Sequence, residues 1–213
     1  MENVSENIAA FLLEIEAIKL RPKEPFRWTS GWLSPIYCDN RLTLSYPHIR
    51  SYIKNAFLSL IQANYPDVEL IAGVATAGIP QGAMLADALN LPFAYVRSEP
   101  KKHGLGNQIE GKIQQGQKII VIEDLVSTGG SLLKAVEALR EAGGKILALL
   151  SIMTYNLEQA QKAFELAQLP FHSLSNYNQI LIEAMRKNLI SEKAMASLQE
   201  WRKNPESWKG SDL

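Results

Sequence analysis

The sequence predicts an α/β fold, a central parallel sheet flanked by helices. Three observations carry that expectation. Ile119-Ile120-Val121-Ile122 is an unbroken β-branched run bounded by charge, the composition of a strand buried on both faces. It leads through small and hydroxylated residues into Leu132, Leu133, Val136 and Leu139 at helical spacing, with Gly143-Gly144 as the stop. The same strand–turn–helix order recurs at 68–89, and apolar runs at 93–97 and 145–153 alternate with further helical stripes. Such alternation gives parallel strands covered by helices, with the site at the carboxyl ends of the strands.

At 213 residues the chain can bury a substantial core, and it carries no repeat, low-complexity tract or linker, so a single domain over 1–213 is expected. Basic and acidic residues number 22 each, and the zero net charge argues against a nucleic-acid partner held by bulk electrostatics. Cys38 is the only cysteine, so no intrachain disulfide can form, and the cytoplasm is the expected compartment. The early acids Glu2, Glu6, Glu14 and Glu16 do not suit a secretory leader. No apolar run approaches the ~20 residues of a membrane span, so no membrane association is expected.

Taken in order, residues 4–19 read as an amphipathic helix, with Ile8, Phe11, Leu12, Ile15 and Ile18 on one stripe. In 26–41 aromatics alternate with polar residues around Ser30-Gly31 and Ser34-Pro35, the pattern of two short extended segments joined by a turn. A helix is expected over 46–62, with Ile49, Ile53, Phe57 and Leu60 inward. In 68–89, Gly73 and Gly78 have the spacing of a Walker loop, but Ile79-Pro80 follows where Lys-Ser/Thr belongs. Pro80 suits a first helical position. The turn serves either close helix packing or an anion, and local sequence does not choose between them.

After the strand at 93–97 come about twenty residues of low apolar content. A connection of that length is a solvated loop or a lid. Lys101, Lys102 and His103 sit in it beside Gly104 and Gly106. The run at 119–122 then meets two acids, Glu123 and Asp124. Adjacent strand residues point to opposite faces, so only one need meet a given ligand unless the chain has begun to turn. Leu125, Val126, Ser127, Thr128, Gly129, Gly130 and Ser131 complete the turn. It is either an ordinary βα connection ending at an N-cap serine or a cradle for a sugar phosphate. A phosphate suits turn N–H groups and a helix N-terminus, and a carboxylate accepts hydrogen bonds from ribose hydroxyls. Beyond the strand at 145–153, helices are expected at 156–168, 176–188 and 191–202, with a short strand between the first two. A polar tail over about 203–213 is expected to fray.

The string EDLVSTGGS after four β-branched residues resembles the phosphoribosyl-pyrophosphate motif of the type I phosphoribosyltransferases. Phe26, Ser30-Gly31, Ser34-Pro35, Tyr37 and Asp39 resemble the N-terminal signature of one branch, the orotate phosphoribosyltransferases. Arg97, Lys101, His103 and Gly104 match that branch's catalytic loop. The resemblance runs from Phe26 to Trp201 and implies the type I fold with a small N-terminal hood and a flexible catalytic loop, a lid over about 98–112. It implies transfer of a ribose 5-phosphate group from 5-phosphoribosyl 1-pyrophosphate to orotate, in pyrimidine synthesis. The roles implied are catalysis by Lys101, His103 and Asp124, and binding of the pyrophosphate substrate by Arg97, Lys101, His103 and 123–131, with Ser127 also touching orotate. Mg²⁺ is the implied cofactor, held mainly through pyrophosphate, ribose and water rather than by dedicated protein ligands. A homodimer is implied, with Arg97, Lys101 and His103 supplied to the partner's site. The chain departs from some relatives at three places. Thr29 precedes Ser-Gly where they carry a lysine, Ser98 follows Arg97 where many have another, and Thr154-Tyr155-Asn156 holds no arginine.

Overall fold

In the computed structural model, residues 3–28, 31–98 and 108–210 are described below. The chain opens with α1 (Val4–Glu14), followed by short strands β1 (Ile18–Leu20), β2 (Phe26–Arg27), β3 (Leu33–Ser34) and β4 (Ile36–Cys38). A 3-10 helix (Asn40–Ser45) leads into α2 (Pro47–Asn64). The body follows as β5 (Leu70–Val74), α3 (Gly78–Leu89), β6 (Phe93–Val96), β7 (Ile109–Glu110), β8 (Lys118–Val126), α4 (Gly130–Glu141), β9 (Lys145–Thr154) and α5 (Glu158–Leu166). It closes with β10 (Phe171–Asn176), α6 (Tyr177–Arg186) and α7 (Glu192–Lys203).

Six strands form one sheet in the order β10-β9-β8-β5-β6-β7. Pairing is parallel from β10 to β6, and β7 adds antiparallel to β6. The β-branched run of β8 shows why the interior needed it. Ile119 and Val121 face one apolar cluster with the α4 residues Leu132, Val136 and Leu139, and with Phe164 of α5. Ile120 and Ile122 face the other, with residues of α1, α2, α6 and α7. A strand covered on both faces has no polar side to present, so alternation vanishes from its sequence.

The first helix stops short of the expected 4–19. Glu16 takes a left-handed backbone (φ 53°), and Ile18–Leu20 becomes a strand paired with β4. Ile15 and Ile18 are buried all the same, so the stripe was sound as a record of burial and misleading as a record of helix. Pro80 is the third residue of α3, not the first; a proline is tolerated there because the first-turn N–H groups have no intrahelical partner. The tail does not fray at Lys203. Trp208 is 8% exposed and packs into the larger core cluster. Among the described residues, no helix is long and apolar enough to cross a membrane.

The two ribbons β1–β4 and β2–β3 form the N-terminal hood, separate from the main sheet. Trp201 of α7 anchors it, donating from Nε1 to the Leu33 carbonyl at 3.0 Å. Trp28, just past β2, lies edge-on to the same indole at 5.7 Å. Hood and C-terminal helices therefore share one aromatic cluster, which places the hood over the carboxyl end of β8.

Candidate active site

The acidic pair sits in the last turns of β8. Glu123 is 7% exposed, and its Oε1 accepts from the Asp124 backbone N–H at 3.0 Å. Asp124 is half-buried. Burial, and then the neighbouring Asp124 charge, push Glu123 up to about 9, and burial raises Asp124 as well. The pair thus retains a proton at neutral pH, as two carboxyls sharing a partly dry site must. Opposite Asp124 stands the hood segment, with Asn40 donating from Nδ2 to the Asp124 carbonyl at 2.8 Å.

No serine caps α4. The N-cap is Gly129, left-handed at φ 82°, and no side chain satisfies the first-turn N–H groups. A Cβ on Gly129 would lie 2.9 Å from Phe164 Cζ, so the position is closed to side chains by conformation and by space. Uncapped N–H groups and the positive end of a twelve-residue helix form an anion-binding arrangement. Ser127 and Thr128 are half-buried beside it, and Ser131 is exposed on the first turn.

In the 68–89 turn the two glycines serve close packing. A Cβ on Gly73 would sit 2.7 Å from the Gly78 carbonyl oxygen, and one on Gly78 would collide with that of Ile122. Those glycines let the start of α3 press onto β5 and β8 beside the acids.

A cavity of about 710 Å³ opens over Leu125, Ser127 and Thr128. Its opposite wall comes from the hood, through Trp28, Tyr37 and Cys38. Trp28 lies nearly parallel to Tyr155 at 5.5 Å and 17°. Tyr155 follows β9, donates its backbone N–H to the Val126 carbonyl at 3.0 Å, and is braced edge-on by Trp201 at 5.8 Å. The result is a slot with aromatic side chains on its hood side, facing Leu125, Ser127 and Thr128, which follow the acids on β8 and its turn. Sequence reading assigned Tyr155 no role; from the residues alone the hood aromatics read as packing, and only the family resemblance gave that segment a part in the orotate pocket. The clue available was their number in so short a stretch.

Arg97 does not line this cavity. It lies at the end of β6 with its guanidinium 3.6 Å from Glu110, and its backbone N–H bonds the Gln108 carbonyl at 2.9 Å. Gln108 returns a bond to the Arg97 carbonyl at 2.8 Å. Within the expected lid span 98–112, Ile109 packs on the sheet and β7 pairs with β6. Lys101, His103 and the glycines beside them lie outside the described residues, as does Thr29. Among the described residues, no cluster of three His, Cys, Asp or Glu side chains could hold a metal ion. Two adjacent carboxyls suit a hard cation only when a ligand and water complete its oxygen shell.

Residues 41–167 match the phosphoribosyl transferase domain. An orotate phosphoribosyltransferase of Cytophaga hutchinsonii is 56% identical over 97% of this chain and 99% of its own length. That of Bacillus subtilis is 54% identical over 94% of this chain and 93% of its own. The chain belongs to the orotate phosphoribosyltransferase family. The solved structure of the orotate phosphoribosyltransferase from Aeropyrum pernix superposes with a TM-score of 0.75 at 28% identity, covering 86% of this chain and 99% of that one. The domain match begins at residue 41 and so takes in the acids, the α4 N-terminus and Tyr155, but not the aromatics of the hood. It is the near-full-length likeness to orotate phosphoribosyltransferases that includes Trp28, Tyr37 and Cys38, and hence the whole slot.

Proposed function

We propose that this chain transfers the ribose 5-phosphate group of 5-phosphoribosyl 1-pyrophosphate to orotate, giving orotidine 5′-phosphate and pyrophosphate. The observation that carries this is the aromatic-walled slot over Leu125, Ser127 and Thr128, residues that lie in sequence between the acid pair and the glycine-capped N-terminus of α4. A planar pyrimidine, a ribose and a phosphate need those three environments in that order.

Asp124, with Glu123 behind it, accepts from the ribose hydroxyls. The 5′-phosphate lies in the turn 125–131, bound by backbone N–H groups and by the hydroxyls of Ser127, Thr128 and Ser131. Stacking against aromatic faces holds the orotate ring, and Ser127 touches it. The bond between the anomeric carbon and pyrophosphate breaks while that carbon bonds a ring nitrogen of orotate. Positive charge builds on the ribose and negative charge on the departing pyrophosphate, so the protein's task is to orient and to neutralise. Lys101 and His103, with Arg97, meet the pyrophosphate, and His103 can give it a proton. When bound, Mg²⁺ neutralises pyrophosphate oxygens and is held chiefly by substrate oxygens and water, with the two acids beside it. The working unit is a cytoplasmic homodimer of single-domain chains in which Arg97, Lys101 and His103 serve the partner's site. The pairing of Arg97 with Glu110, away from the slot in its own chain, supports that arrangement.

The test is orotate consumption with phosphoribosyl pyrophosphate and Mg²⁺, with adenine, hypoxanthine and uracil as competitors. Turnover of orotate alone is expected. Turnover of a purine without orotate would overturn the substrate assignment and leave the phosphoribosyl site standing.

A further inference from the structure

We infer that Asn40 is a positioning residue, whose amide ties the hood wall of the slot to the backbone of Asp124 and so sets the slot's width and the aim of that acid. The inference rests on the reading of acids and slot as ribose and base sites. Asn40 is 1% exposed, and its bond to the Asp124 carbonyl joins residues 84 apart in sequence. Cys38 Sγ donates to Asn40 Oδ1 at 3.3 Å. Chemistry thereby fixes which end of the amide faces Asp124, since the opposite orientation would set two acceptors against each other. Burial and the nearby Asp124 and Asp39 charges hold the Cys38 thiol up, so it remains a donor.

The site needs such a tie. β8 runs past the end of β5, whose last pair is Gly73 with Ile122, while pairing with β9 continues to Val126. Asp124 thus lies on a stretch that the sheet supports from one side. Asn40 adds a bond from the hood, two residues after Cys38 in one wall and directly onto the residue before Leu125 in the other. The turn bearing Asn40 holds itself together by other means. Thr43 Oγ1 donates to the Asn40 carbonyl at 2.6 Å, Asp39 accepts from the Arg41 backbone N–H at 3.2 Å, and the Arg41 guanidinium grips Asp39 at 2.6 and 2.9 Å. Removing the amide therefore cuts the tie while leaving the turn its own bonds.

The variants are Asn40→Asp, which keeps the shape and loses the donor, and Asn40→Ser, which is too short to reach. Thr43→Val is the control, since it weakens the same turn without touching the tie. Misplacement of a reacting group by about 1 Å can cost ~100-fold in rate. We expect both Asn40 variants to raise the Michaelis constants for orotate and phosphoribosyl pyrophosphate and to lower kcat/KM by roughly 10- to 100-fold. Thr43→Val should lower the melting temperature with both Michaelis constants unchanged. Unchanged Michaelis constants in the Asn40 variants, with activity tracking the folded fraction, would overturn the inference, as would failure of both to fold. Calorimetric binding of phosphoribosyl pyrophosphate with Mg²⁺ reports on Asn40 whatever the base. A wild-type chain inert toward orotate would thus defeat the substrate reading separately.

Discussion

Replacing Gly129 by alanine is the most direct trial of the phosphate cradle, because two separate costs meet at that atom. A non-glycine residue in the left-handed region costs about 1–2 kcal/mol, and Gly129 holds φ 82°. The new Cβ would also lie 2.9 Å and 3.0 Å from Phe164 Cζ and Cε1. That ring has little freedom to retreat, being 3% exposed and packed on Phe171 at 4.8 Å between centroids. Overpacking of this kind costs about 1–3 kcal/mol. The two together come to about 2–5 kcal/mol, a factor of roughly 30 to 4,000.

The strain is either endured, and lost from stability, or relieved by movement of the turn, and lost from phosphoribosyl pyrophosphate binding. Urea unfolding and the Michaelis constant for that substrate, measured on one preparation, divide the cost between them. Phe164→Leu removes the far end of the ring, so combining it with Gly129→Ala should recover about 1–2 kcal/mol relative to additivity. The backbone part should persist in the double variant. An additive cycle would refute the contact with Phe164. Unchanged stability together with an unchanged Michaelis constant in Gly129→Ala would refute the cradle itself.

Asp124→Asn should preserve the fold and reduce kcat/KM by at least the ~2 kcal/mol of a charge-assisted hydrogen bond, about 30-fold; a larger loss from Glu123→Gln would reverse the order of the two acids. Glu123, lifted from 4.5 to about 9, holds its proton when folded after the unfolded chain has released it. Stability of the free protein should therefore fall as pH rises through that window, by up to about 1.4 kcal/mol per unit. Glu123→Gln should flatten the decline in urea titrations from pH 5.5 to 8.5, and parallel curves for the two proteins would refute the buried proton. Refolding Lys101→Ala together with Asp124→Asn should restore roughly a quarter of wild-type activity, because each mixed dimer contains one intact site. Mixed dimers that form and stay inactive would exclude loan of the loop between subunits.

What could be read from sequence follows from how each part is held. β8 was legible because burial on both faces leaves a composition that nothing else explains. The residues 123–131 were legible because acids and phosphate turn are contiguous. β7 was not, since two residues among polar neighbours show no period, and only the edge of β6 makes them a strand. The end of α1 was missed because Ile15 and Ile18 fit a helical stripe equally well, while the left-handed Glu16 leaves no mark in composition. Trp208 was hidden by polar neighbours, although a lone tryptophan in a polar tail is itself a sign of something to pack against.

The hood side of the slot could be tied to a base only through the family resemblance, and the topology explains why. The acids and the turn proposed for ribose and phosphate lie on one strand end and the helix that follows it, so they stay together in the chain. The slot instead joins Trp28, Tyr37 and Cys38 of the hood to Leu125 and Ser127 of β8 and its turn, and to Tyr155 after β9. None of these carries charge and only Cys38 carries a metal-binding group, so each alone looks like core or surface packing. Their function exists only where the hood is pressed onto the sheet, through Trp201 against Leu33 and Asn40 against Asp124. Changes that loosen the hood at the Trp201–Leu33 bond should impair discrimination among bases before they impair binding of the sugar phosphate, whereas loss of the Asn40 tie should impair both.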